Sequence, residues 1–269
     1  MKRIDLLARS ATACAVVLLI AACGGGGGGG SAPSSTTKTD SSLQLSGTAA
    51  TGAALANASV SVKCASGNGT GTTDASGAYT LKLTGGALPC VINVTGTQGG
   101  VSVSLHSLAE AGSTDAGGNT AASANVTPLT EMIVAQLTAG LPSDLFESFG
   151  AGSSGQVSTE KLADATNARL KALEGATGID LGTIDPFKTK LVAATQSAPD
   201  AGNAYDKLLD QLGDKVGPEA LPQVVNQIAS AAGSGGSGLT EVMASVEKGS
   251  LRGCGLALSG KYRTVDFFG

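Results

Sequence analysis

The chain of 269 residues has no tryptophan, one histidine (His106), three tyrosines and five phenylalanines. With so few rings, platforms for stacking sugars or bases are scarce, which weakens glycan-binding and single-strand-binding readings. Charge is sparse as well, at 14% of residues, and the net charge is −4. That balance argues against nucleic acid as a partner and against charge-driven binding to anionic lipid. A spanning helix needs about 20 apolar residues. The leading apolar run, Ala11 to Ala22, is shorter than that and contains Thr12. The five cysteines (Cys14, Cys23, Cys64, Cys90, Cys254) form no C-x-x-C pair, and with one histidine they make a poor zinc set. No serine beside His106 sits in a Gly-x-Ser-x-Gly elbow, and no motif places a carboxylate against it. The reading is therefore of a chain with no catalytic residues, no metal and no cofactor, and of His106 as a polar residue at a strand end.

What the chain does have begins at its N-terminus. Lys2, Arg3 and Arg9 precede the short apolar core, and small residues follow it, as in a secretory signal. Ile20-Ala21-Ala22-Cys23 resembles the lipobox of bacterial lipoproteins. The resemblance implies cleavage between Ala22 and Cys23, a diacylglyceryl thioether on the Cys23 sulfur and an acyl group on its new amine. One acyl chain binds a membrane only marginally, whereas two or more hold. Gly24 stands where an aspartate would signal retention in the inner membrane. The expected address is thus the cell envelope, at the outer membrane, with the periplasmic or exterior face left open.

Residues 1–22 read as signal peptide and 23–42 as a Gly/Ser/Thr-rich tether. Such a tether cannot bury enough surface to offset its ordering entropy. It spans roughly 25 Å on average. Cleavage would remove Lys2, Arg3, Arg9 and Asp5, leaving 14 of the 17 basic and 20 of the 21 acidic residues, a net charge near −6. Cys64, Cys90 and Cys254 would remain in an oxidising compartment, where one pair and one leftover is the natural outcome.

From residue 43 to 106 the pattern alternates with period two. Leu43 and Leu45, then Ala58, Val60 and Val62, then Tyr79, Leu81 and Leu83, share faces. Val91 to Val94 and Val101 to Leu105 add two more runs. Short strands separated by turns such as Asp74-Ala75-Ser76-Gly77 point to an antiparallel β-sandwich. The glycine-rich Gly67-Asn68-Gly69-Thr70-Gly71 reads as a hairpin loop, because it opens no helix that could cradle a phosphate. The stretches Gly52 to Val62 and Thr72 to Leu81 resemble the carboxypeptidase regulatory-like domain, a transthyretin-like sandwich. The shared pattern is a glycine, a small-aliphatic run ending in Ala-x-Val-x-Val, then Thr-Asp-x-x-Gly-x-Tyr. The resemblance implies an accessory module with no catalytic residues to transfer. Cys64 ends the second strand and Cys90 begins a later one, and a disulfide between them is expected. The sequons at Asn57, Asn68, Asn93 and Asn125 are better explained by strand and turn chemistry.

Residues 107–124 read as a flexible loop and 125–232 as a small all-α segment, which makes the fold class α+β. Thr127 reads as a helix N-cap with Pro128 at the first helical position and Glu131 in the first turns. Leu129, Met132, Ile133 and Leu137 form its stripe. Further helices are expected over Ser158 to Glu174, over Pro186 to Ala194, around Tyr205 to Leu212, and around Leu221 to Ile228. Asp180, Asp185, Asp206 and Asp210 lack the spacing of a calcium loop and read as caps or solvated positions. Glu131 and Glu147 fall on different helices, with nothing to pair them for acid–base work. The Asn125 to Thr130 run, after Leu105-His106-Ser107, resembles a layout that recurs in proteobacterial lipoproteins and brings no activity with it.

Residues 233–269 read as a linker, a short helix and a terminal strand, Leu256 to Phe268, beside the leftover Cys254. That strand is either the start of a truncated further domain or a strand that pairs with the sandwich. The functional expectation is a lipid-anchored, non-enzymatic interaction or structural module whose partners are the membrane and envelope proteins or glycans. The alternatives are a carbohydrate-binding surface module and the accessory part of an envelope hydrolase truncated after residue 269.

Overall fold

The computed structural model describes residues 41–233 apart from Thr183. Ala22, Cys23, Cys254 and the strand expected at 256–268 lie outside the described residues. Eight strands precede five helices: β1 (Ser42–Thr48), β2 (Ser59–Ser66), β3 (Asn68–Thr72), β4 (Ala78–Thr84), β5 (Ala87–Gln98), β6 (Val101–Ala109), β7 (Ser113–Thr114) and β8 (Thr120–Ser123), then α1 (Pro128–Thr138), α2 (Pro142–Ser148), α3 (Thr159–Thr177), α4 (Ala204–Lys215) and α5 (Leu221–Gly233). The fold is α+β, with two four-stranded sheets in the orders β4-β1-β8-β7 and β3-β2-β5-β6. All pairings are antiparallel except β1 with β8.

The alternation forms strands where period two is clean. Leu43 and Leu45 of β1 are fully buried while Gln44 between them is exposed. Inward residues of both sheets and of all five helices belong to one continuous apolar cluster. The turn before β4 is built by Asp74, whose Oδ1 accepts from the Ser76 N–H and hydroxyl and from the Ala78 N–H. The Ser76 hydroxyl first, then these N–H groups, hold the Asp74 carboxyl below its ordinary value. Gly77 closes the turn at φ +76°, and a Cβ there would lie 2.4 Å from the Ala49 carbonyl oxygen.

Two segments read as loops carry strands instead. The Gly67 to Gly71 run continues into β3, which pairs with β2. Its glycines serve close packing: a Cβ on Gly69 would lie 2.3 Å from Leu83 Cδ2, and one on Gly71 2.6 Å from Leu81 Cδ2. The period-two signal is present there, but its inward members have no side chains. The 107–124 segment extends β6 to Ala109 and then holds β7 and β8. β8 is short, and it forms because β1 offers it an open edge: Leu43 to Ser46 pair in parallel with Thr120 to Ser123. The line continues through the bridge of Ala49 to Val126 and leads into α1.

The helices start where their caps stand: Thr127, Ser158 and Asn203 each accept a first-turn N–H with their side chains. α3 runs past Gly175 to Thr177 and is capped by Gly178. The helix expected over Pro186 to Ala194 does not form. A turn at Asp185 to Thr189 is followed by extended chain whose backbone groups are taken from outside. The Leu191 carbonyl accepts from Thr48 Oγ1, the Ala194 carbonyl from the Ala54 N–H, and the Ala194 N–H is held by Asp206. These tertiary partners outbid one or two turns of helix.

The disulfide joins Cys64 of β2 to Cys90 of β5, which are directly opposed in the ladder. The cysteines are 26 residues apart. Closing a loop of that length stabilises by about 3 kcal/mol in the chain-entropy model. Replacing both cysteines by alanine is therefore expected to lower Tm by roughly 6–12 °C, as measured by calorimetry under non-reducing conditions.

Candidate functional site

The sole histidine lies inside β6, not at a strand end, and it is buried with 5% of its surface exposed. It alternates in phase with Ser102 and Ser104 and stands opposite Asn93 of β5. Glu131, on the first turn of α1, is also buried. Seven consecutive residues of α1, Leu129 to Ala135, are buried, so the largely buried Glu131 carboxyl needs donors inside.

It finds them on His106. Glu131 Oε2 accepts the His106 backbone N–H and lies 3.0 Å from Nδ1, with Oε1 at 3.2 Å. The Asn93 side-chain amide is 3.0 Å from His106 Nε2 and also donates to Ser104 Oγ at 2.8 Å. The Glu131 carboxyl at Nδ1 and the Asn93 amide at Nε2 thus engage both ring nitrogens. Phe146 of α2 covers the ring at 6.0 Å between centroids, and Lys63 Nζ sits 4.9 Å from the Phe146 ring centre and donates to the Glu147 carbonyl.

The neighbouring hydrogen bonds extend the same joint. Thr130 Oγ1 donates to the His106 carbonyl at 3.0 Å and accepts from the Thr127 N–H, while Thr127 caps Thr130 in return. Ser107 Oγ donates to the Asn125 carbonyl. The Asn125 side chain reaches both ways, accepting from the Thr48 N–H and donating to the Thr189 carbonyl at 2.7 Å.

Beside His106 opens a cleft of about 270 Å³, walled by β6, the 141–143 segment and the start of α5. A second cleft, of about 530 Å³, lies between α3 and the 182–188 segment. At its rim Glu110 pairs with Lys188 at 2.7 Å and accepts from Thr159 Oγ1. In the cluster around His106, every polar atom of the ring and of the carboxylate is engaged.

The other sequence-selected residues fall into local roles. Cys64 and Cys90 are bonded to each other. Asp180 Oδ1 accepts from the Gly182 N–H, and Asp185 Oδ1 from the N–H groups of Phe187 and Lys188. Asp206 lies in the core at 1% exposure and accepts the Ala194 N–H. Burial, with Asp210 adding to it, raises the Asp206 carboxyl above its ordinary value, and burial with Asp214 raises Asp210. Among the described residues, no three His, Cys, Asp or Glu side chains gather as a metal site, and no helix is long and apolar enough to cross a membrane. The pairing of His106 with Glu131 was not read from the sequence. The available signal was a carboxylate within a run of helix that is apolar on every side. Comparison with protein-family models, curated proteins and solved structures found no match to this chain.

Glu131→Ala would leave the His106 N–H and Nδ1–H without acceptors. Each orphaned buried donor costs about 1–3 kcal/mol, so Tm should fall by roughly 4 °C or more, measured by thermal unfolding. Asp206 gives a pH-dependent case. Its folded-state value is raised, so its contribution to stability is present below the unfolded value and lost as pH rises through the folded one. Asp206→Asn keeps an acceptor for Ala194 without the charge. Thermal scans should show the variant gaining on the native protein as pH is raised from about 4 toward neutrality.

Proposed function

We propose that this chain is a lipid-anchored envelope protein whose β part is a carboxypeptidase regulatory-like sandwich, and that it acts as a non-enzymatic interaction or structural module. The observation that carries the non-enzymatic reading is the state of His106. Nδ1 and both oxygens of its carboxylate partner join β6 to α1, and Nε2 faces the Asn93 amide of β5. A general base needs an imidazole nitrogen turned toward a substrate, and this one is turned toward protein on both sides. The sandwich reading is supported by two four-stranded sheets that share one core, with Asp74 and Gly77 building the turn that the family pattern marks. The anchor reading rests on Ile20 to Cys23 and on the glycines that follow.

On this reading Cys23→Ser moves the protein from the membrane fraction to the soluble envelope fraction. Mass spectrometry of the native N-terminus finds an acylated Cys23. A native chain recovered unacylated, with residues 1–22 still attached, defeats the anchor. Affinity capture from envelope extracts is expected to recover a protein partner, and its repeated failure to do so counts against an interaction role.

A further inference from the structure

The two sheets have four edges, and three of them are blunted in the ways that keep natural sheets from pairing further. β7 is two residues long. β4 carries an exposed lysine, Lys82. β3 sets Gly69 and Gly71 against Leu83 and Leu81 of β4. β6 is the exception, at nine residues. α1 covers its edge at His106, whose N–H goes to Glu131 and whose carbonyl goes to Thr130. Antiparallel pairing alternates such outward residues with ones that bond inward. Ser104 and Ser102, opposite Thr95 and Thr97, therefore turn their N–H and C=O outward as well. No described residue bonds to those groups, and both serines are exposed. The open length, Val101 to Leu105, has no charge, no proline and no bulge.

We infer that this edge takes an extended, uncharged peptide segment of another protein as an added strand, with its alternate apolar side chains in the cleft beside it. The inference rests on the interaction reading above and names the surface and the kind of partner. Free N–H and C=O groups on alternate residues of one strand match an extended main chain and neither a helix nor a compact ligand. Ser102 and Ser104 line the 270 Å³ cleft, whose other walls include Leu141, Pro142, Pro218 and Leu221. The one carboxylate in the lining, Glu131, is already engaged by His106, so no charged side chain finds a partner there. A second copy of this chain suits the cleft poorly. Two-fold pairing of β6 with itself about Val103 sets Ser102 opposite the other copy's Ser104, and opposed residues share a face. Serines would then meet walls of leucine and proline. Among the described residues the one large apolar side chain left exposed is Val192, so a second copy has little else to offer. The apolar side chains therefore come from a different protein.

Because the main chain carries the affinity, a generic probe suffices: the capped peptide acetyl-Thr-Leu-Thr-Leu-Thr-amide, in excess over the full chain. Amide hydrogen exchange is read at Ser102 and Ser104, with Val94, which faces Leu105 in the ladder, as the control for an intact sheet. The two serine amides are expected to exchange at least about tenfold slower with the peptide than without it. Replacing its leucines by serine should weaken binding at least about tenfold. Ser102→Pro removes an outward N–H, which an edge strand tolerates, and should abolish the protection at Ser104 while Val94 stays protected. If that variant does not fold, Ser104→Lys, at an exposed position, decides in its place. No protection by the peptide overturns the inference. Equal binding by the peptide N-methylated at every residue overturns it in favour of an apolar ligand that ignores the edge. Protection without peptide that grows with protein concentration overturns it in favour of a second copy. A protein partner captured equally well from envelope extracts by native chain and Ser102→Pro overturns it and leaves the interaction reading standing.

Discussion

A sheet edge buried under a helix must give up its water, and every backbone group on it then needs a protein partner. In this molecule that requirement is met at His106 by two side chains from one turn of α1. Thr130 satisfies the carbonyl and Glu131 the N–H. The same turn is stabilised by its own capping box with Thr127, and Pro128 occupies a position whose N–H would have been unpaired in any case. The segment from Asn125 to Glu131 is therefore helix cap, edge cover and strut between sheets and helices together. Asn125 extends it to β1 and to the 186–189 turn.

Much of the helical half depends on that joint. α1 is buried over seven consecutive residues because it lies against β6 on one side and against α2, α3 and α5 on others. Each of Leu129, Met132 and Ile133 contributes about 1.5–3 kcal/mol by burial, but only if the helix is seated on the edge. The price of that seat is a buried carboxylate, which is tolerable because it receives the backbone and ring donors of one histidine. A charge and a polar ring in the core are thus consequences of how the sheet edge is closed.

Much of this was legible in particular residues. Leu43, Leu45, Val60, Val62, Tyr79 and Leu83 announced their strands because period two was uninterrupted. Thr127 and Pro128 announced α1 because a cap is local, and Cys64 and Cys90 announced their bond because both fall on runs with strand periodicity, inside β2 and β5. β3 was hidden because its inward positions are glycine, emptied to admit Leu81 and Leu83. β8 was hidden because a four-residue strand exists only when a neighbour offers it an edge. Leu191 to Ala194 carried a helical pattern and became extended, since Thr48, Ala54 and Asp206 compete for its backbone. His106 and Glu131 stand 25 residues apart along the chain, and no local pattern pairs them.

By itself the sequence determined what local chemistry decides: the alternating strands and the capped helices. These depend on neighbours within a few residues, so periodicity and composition suffice. The tertiary structure alone decided which edge α1 closes, which glycines make room, and where the only histidine spends its two nitrogens. Those outcomes depend on groups brought together from distant parts of the chain, and their energies exist only once water has been excluded between them.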